Sequence, residues 1–346
     1  MTRTNCWGDV ARQLSLFEGG KAAAGGITAV AAAEPPAEAL DLARYLPAGV
    51  RLGTSSWHFP GWRGLVWAGA HEPGDLSRHG LRAYARHPLL TAAGIDRSFY
   101  APLSARHFAA YAEQVPAHFR FVVKAPGLIT SPWQPGEGAC RGGSNPHFLD
   151  PGFAAGQFVE PALAGLGAQA GTLLFQFPPL GRALTRSPER FIAQLQVFLS
   201  QLPKGPHYAV EVRDSRIMTR RFFASLKEAG ARCCVGVHPR MPAVSVQAAA
   251  MSGFGPGPLL IRWNLGQNCS YEEARARFTP FDRLVEEDAA TRESIAQLCL
   301  ATVAAGEACT IIANNKAEGS APLTLLKLAG AIVAAARARR ERGLSA

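Results

Sequence analysis

The chain has 346 residues, 48% of them hydrophobic, which is ample for a buried core and excludes a disordered protein. Its 36 Lys and Arg against 26 Asp and Glu give a net charge of +10, so its field attracts nucleic acid or an anionic small molecule. Seven Cys without paired metal spacing exclude a disulfide framework and suit a reducing cytoplasm. The first residues lack a secretory pattern, and the apolar run 27–33 is too short to span a bilayer, so a cytoplasmic protein without membrane association is expected.

In chain order, residues 1–48 read as a disordered, flexible leader and 49–346 as one folded domain. Residues 19–39, GGKAAAGGITAVAAAEPPAEA, hold almost no large side chains and cannot bury enough surface to offset chain entropy, which makes them a tether. Ahead of the tether stands Gln13-Leu14-Ser15-Leu16-Phe17. This pentapeptide resembles the one with which bacterial replication and repair proteins dock on the polymerase sliding clamp. Leu16 and Phe17 suit an apolar pocket as anchors, Gln13 suits its rim, and Leu14 adds contact area.

From Val50 onward, short β-rich runs alternate with helical patterns. Eight strands are expected: Val50–Ser55, Ile95–Tyr100, Phe119–Lys124, Thr172–Phe177, Tyr208–Val212, Cys233–Val237, Leu259–Trp263 and Thr310–Ala313. Asp150-Pro151 and Ser187-Pro188-Glu189 place a capping side chain before a proline at the first helical position. The alternation predicts an α/β fold, a single (β/α)8 TIM-like barrel in which chemistry sits where strands end. Those ends are rich in polar and aromatic groups: Ser55, Ser56, Trp57, Asp96, Ser98, Tyr100, Lys124, Gln176, Glu211, Arg213, Asp214, His238, Arg262 and Asn264, then Asn314, Asn315, Lys316 and Glu318.

The strand ends also carry a family likeness. GTSSWHFPGW (53–62), IDRSFY (95–100), VVKAP (122–126), FQFPP (175–179), AVEVRDS (209–215) and NNKAEGSAP (314–322) are similar, in order, to segments of the YecE-like family. The resemblance spans residues 50 to 335. It implies a TIM-like barrel and leaves the activity open, because that family has no established function. Against its usual pattern, an acidic residue before Ile95 is replaced by Gly94, Asn by Asp96, and a His-Pro-Ser-Trp segment by Asp214-Ser215-Arg216, so Asp96 and Asp214 are candidate substitutes.

Several chemistries fit these residues. Gly319 and Ser320 lead into a helix opened by Pro322, and with Lys316 and Arg262 this loop suits a phosphate or carboxylate cradle; an ordinary capped helix is the plain alternative. Glu211 and Arg213 lie two apart on one strand and share a face, as a general acid or base with an anion-orienting guanidinium, or as a structural pair. The candidate catalytic carboxylates are Glu211, Asp96 and Glu318. Candidate substrate contacts are Trp57, Tyr100, Lys124, Arg213, Arg262, Asn314, Asn315 and Lys316, with Trp57 and Tyr100 reaching the pocket as stacking faces. No His-Glu-x-x-His spacing occurs, so no metal or cofactor is expected, and a hard-cation site from the three carboxylates is the weaker alternative. No nucleophile elbow occurs, and Ser55 and Ser56 have no evident base partner. The residues fit a clamp-associated hydrolase of DNA metabolism, an isomerase or hydrolase of sugar phosphates, or an anion-binding protein without catalysis.

Overall fold

A computed structural model of the chain describes residues 29–134, 143–181, 187–266 and 269–343. The pentapeptide expected to dock on a clamp, with Gln13, Leu14, Leu16 and Phe17, lies outside the described residues.

Nine parallel strands form one sheet: β1 (Val50–Thr54), β2 (Leu90–Ile95), β3 (Arg120–Lys124), β4 (Ala170–Gln176), β5 (His207–Glu211), β6 (Arg232–Cys233), β7 (Val235–Val237), β8 (Leu259–Trp263) and β9 (Cys309–Ala313). Their order is β6-β5-β4-β3-β2-β1-β9-β8-β7. The two ends of that order, β6 and β7, are consecutive in the chain and separated only by Cys234. One strand position is thus split: β6 pairs with β5, β7 pairs with β8, and the ring closes through eight positions as a TIM-like barrel.

The expected strands fall at these eight positions except the second. Ile95–Tyr100 is a strand only at Ile95; the chain then turns through a 3₁₀ helix, Arg97–Phe99, and the pairing strand is the earlier Leu90–Ile95. Its small residues obscure it in sequence, yet the barrel requires them. A Cβ on Gly53 would stand 2.1 Å from the Ala92 carbonyl oxygen, and one on Gly94 would stand 3.0 Å from that of Ser55, so β1 and β2 approach too closely for larger side chains. Gly94 is fixed by this contact, and the absent acidic residue has no room there.

Strand side chains alternate between two cores. One set packs outward under the helices, including Leu52, Ile95, Val123, Phe175, Val210, Ile261 and Ile311. The other fills the barrel axis with Ala92, Val122, Leu174, Ala209, Cys234, Leu260 and Ile312. Helix starts are partly as expected: Asp150 accepts from the Phe153 N–H at 3.0 Å ahead of Pro151, whereas Ser187 makes no side-chain cap. The last helix, Ala321–Glu341, is long and apolar enough by composition to cross a membrane, and it packs against β1 and β9 as the barrel's closing helix.

The leader boundary shifts. Within residues 29–48, Ala32 makes an antiparallel bridge to Trp67, and the helix Ala37–Tyr45 lies on the closing helix, with the Arg337 guanidinium 4.7 Å from the Tyr45 ring. The stretch from residue 29 to 39, expected as tether, is therefore docked, because Ala39 and Leu42 find apolar partners on the barrel.

Candidate functional site

The period-two alternation that fills the barrel axis also builds the site. One step beyond the apolar layer, toward the strand C-termini, the inward positions become Gly94, Lys124, Gln176, Glu211, Gly236, Arg262 and Asn314. One step further stand Asp96, Arg213, His238 and Asn264. A charged layer thus lies directly over an apolar plug.

Glu211 is its centre. Glu211 Oε2 accepts from Arg262 Nη1 at 2.6 Å, and Oε1 faces Arg213 Nη2 at 2.6 Å and Asn264 Nδ2 at 3.2 Å. Burial by itself would raise the Glu211 pKa, but the guanidiniums of Arg213 and Arg262 outweigh it and hold the carboxyl below its usual range. Arg262 reaches on to Gln176 at 3.3 Å and to the Asp96 carboxylate at 3.5 Å. With both oxygens engaged, Glu211 is placed as the counter-ion that orients two buried guanidiniums.

Lys124 stands beside this group with Nζ 3.9 Å from the Phe99 ring centroid. Burial lowers its pKa to about 8, with Arg262 and Arg213 adding to the shift and Asp96 and Glu211 opposing it. A lysine so placed is charged at neutral pH and can exchange a proton slightly above it.

A cavity of about 390 Å³ opens at the mouth and meets the charged layers at Gly94, Asp96 and Asn314. Its wall brings together Trp57, Asp96, Tyr100, Asn314 and Lys316 from the expected residues, and Arg97, Arg275, Tyr111, Tyr271 and Phe281 that sequence reading missed. Trp57 packs edge-on against Tyr111 at 5.3 Å, and Lys316 Nζ lies 4.2 Å from the Tyr271 ring. Asn314 Nδ2 donates to Ser55 Oγ at 2.9 Å. Arg275 and Tyr271 come from the helix Tyr271–Phe278 in the long β8–β9 interval, opened by a capping box between Ser270 and Glu273. The Ser-x-x-Glu signal was present in the sequence, but nothing local aims that helix at the mouth.

Ser56 and His58 form a second missed pair. Ser56 Oγ lies 2.6 Å from His58 Nδ1, and both line the cavity. Burial lowers the His58 pKa to about 4, against a raising influence from Asp96, so the ring is neutral at pH 7.

Three expected placements are corrected. Glu318 lies away from the cavity and fully buried, accepting from Arg292 Nη2 at 2.6 Å and from the Asp288 N–H at 2.7 Å, which makes it a structural carboxylate. Asn315 is buried too, its Oδ1 accepting from Trp62 Nε1 at 3.0 Å and the Ala321 N–H at 2.8 Å. That amide cap, with the burial of Ser320 and Ala321, closes the helix start that was expected to cradle an anion. Asp214 caps the turn Ser215–Ile217 and pairs with Arg216 at 2.8 and 2.6 Å, away from Glu211, so it does not stand in for a site residue. Among the described residues, no three His, Cys, Asp or Glu side chains converge as a metal site requires, and Asp96, Glu211 and Glu318 do not meet.

No curated protein matches the chain. Among solved structures it is similar to a DUF72 family protein from Enterococcus faecalis, at 19% identity over 82% of this chain and 95% of that one, with a TM-score of 0.59. It is also similar to a DUF72 family protein from Thermotoga maritima, at 18% identity over 81% of this chain and 97% of that one, with a TM-score of 0.54. These likenesses bear on the fold. Residues 51–343 match the model described as Protein of unknown function DUF72, and with the ordered strand-end motifs they establish that the chain belongs to this family, the YecE-like barrels.

Proposed function

We propose that this barrel binds an anionic, phosphate-containing ligand at its C-terminal mouth and acts on it as a hydrolase in DNA metabolism. The observation that carries the reading is the charge of the site. Lys124, Arg213 and Arg262 stand against Asp96 and Glu211 in the charged cluster, and Arg97, Arg275 and Lys316 line the cavity with Asp96. Among the described residues, cations outnumber carboxylates here, and a phosphate would suit that balance. The cavity lies within the usual range for a small-molecule site, of the order of 300–1,000 Å³, and its Trp and Tyr faces suit a sugar or nucleobase. Lys124, whose pKa burial lowers to about 8, supplies a proton-exchanging group, and Asp96 lines the cavity as its carboxylate.

Placement in DNA metabolism rests on Gln13–Phe17, whose docking to a sliding clamp would raise the barrel's local concentration near DNA. The net charge of +10 favours the same partner. Thermal stability is measured with inorganic phosphate, a sugar phosphate and a short single-stranded oligonucleotide. Stabilisation by phosphate that is lost in a Lys316→Ala, Arg275→Ala variant supports the anion site. Salt-sensitive oligonucleotide binding supports DNA, and stabilisation by the sugar phosphate alone assigns the barrel to sugar-phosphate chemistry. No response to any of the three overturns the reading.

A further inference from the structure

The segment after β1 holds a Ser–His pair inside the cavity, and the surrounding contacts fix both partners. Thr54 Oγ1 donates to the Ser56 carbonyl at 2.7 Å, which anchors the Ser56 backbone. The His58 ring stacks on Phe59 at 5.2 Å and 16°, and Phe59 is itself held against Trp62 at 5.0 Å and edge-on against Phe281 at 5.6 Å. The 2.6 Å separation of Ser56 Oγ from His58 Nδ1 is the contact a hydroxyl nucleophile makes with its base.

We propose that Ser56 is the nucleophile of a phosphoryl-transfer step on an ester bound in this cavity, with His58 as its general base. The inference rests on the anion reading of the same site. In the first step the Ser56 hydroxyl proton passes to His58 Nδ1 as the Oγ–P bond forms. The P–O bond to the leaving alcohol breaks, and the alcohol oxygen takes the proton from His58. In the second step water attacks phosphorus and gives a proton to His58. The Oγ–P bond then breaks, and Ser56 Oγ recovers that proton, so atoms and charges balance with water as the only co-reactant. The ring is neutral at pH 7 and so has Nδ1 open to a proton; burial lowers its basicity, and the negative charge of Asp96 partly offsets that loss. A Ser–His bond that only orders the loop would transfer nothing.

The test incubates the full chain with bis(4-nitrophenyl) phosphate and follows nitrophenolate release and intact mass. The expected result is a burst stoichiometric with protein and a phosphoryl adduct mapped to Ser56. Both vanish in Ser56→Ala, and the burst slows by roughly 10²-fold or more in His58→Gln. Absence of burst and adduct from a wild-type protein that inorganic phosphate stabilises overturns the nucleophile while leaving the anion site standing. An adduct that persists in Ser56→Ala also overturns it. A Ser56-dependent burst without stabilisation by inorganic phosphate would instead uphold the nucleophile acting on a phosphate ester and remove only the binding of free phosphate.

Discussion

Glu211 Oε2 and Arg262 Nη1, 51 residues apart in the chain, meet at 2.6 Å inside the barrel, with Arg213 closing on the other carboxylate oxygen. The pair sits on neighbouring inward positions of β5 and β8, reached across the split strand, where Gly236 brings no side chain between them. Replacing Glu211 by Gln removes the carboxylate shared by two buried guanidiniums and leaves Arg262 only the longer carboxylate contact to Asp96 at 3.5 Å. The expected loss is roughly 3–5 kcal/mol in urea unfolding, and a Glu211→Gln, Arg262→Gln double variant should lose less than the sum of the singles.

Lys124 makes a pH prediction with two opposite signs. Its folded pKa of about 8 lies below the ordinary 10.5, so between these values the unfolded chain binds more protons and stability rises with pH across that window. Anion binding runs the other way: the ammonium is present below about 8 and lost above it, so phosphate affinity measured by calorimetry should fall as pH rises through that value. Lys124→Arg should keep phosphate affinity level over the same range, because arginine stays protonated.

Asn315 is a pure stability test. Its single carbonyl oxygen satisfies both Trp62 Nε1 and the first N–H of the closing helix. Asn315→Ala strands two buried donors at a cost of about 1–3 kcal/mol each, whereas Asn315→Asp retains the acceptor. Thermal denaturation of the two variants should therefore separate them, with the Ala variant melting lower.

The amino-terminal peptide gives a prediction independent of the barrel. Immobilised bacterial sliding clamp should retain the wild-type chain and release a Leu16→Ala, Phe17→Ala variant, since those two side chains are the apolar anchors of the proposed contact. Equal retention of both would remove the DNA-metabolism reading. The anion site would remain, because it stands on other residues.

Much of the fold was legible because strands buried on both faces leave short apolar runs, and because a barrel puts polar residues at every strand end. The second strand was not legible, since Ala92 to Gly94 were chosen for the close approach of β1 and carry little β signal of their own. At the site, Asp96, Lys124, Arg213, Arg262, Trp57, Tyr100 and Lys316 were all visible as strand-end chemistry; Trp57, Asp96, Tyr100 and Lys316 line the cavity, and Lys124, Arg213 and Arg262 stand in the charged cluster around Glu211 and Asp96. Glu318 and Asn315 looked equivalent in sequence, yet both are consumed by structural bonds to Arg292 and Trp62.

The sequence by itself determined the barrel class, its family and the inventory of charged groups, because periodicity and ordered motifs are properties of neighbours along the chain. Only the tertiary structure decided which of those groups share a cavity. Closure of the ring brings Arg262 to Glu211 beside the strand neighbour Arg213, and carries Arg275 and Tyr271 from a distant helix to the mouth. The Glu211–Arg262 contact and the arrival of Arg275 and Tyr271 are made in space between residues far apart in the chain, and no spacing rule encodes them, whereas Glu211–Arg213 and Ser56–His58 are neighbours two residues apart.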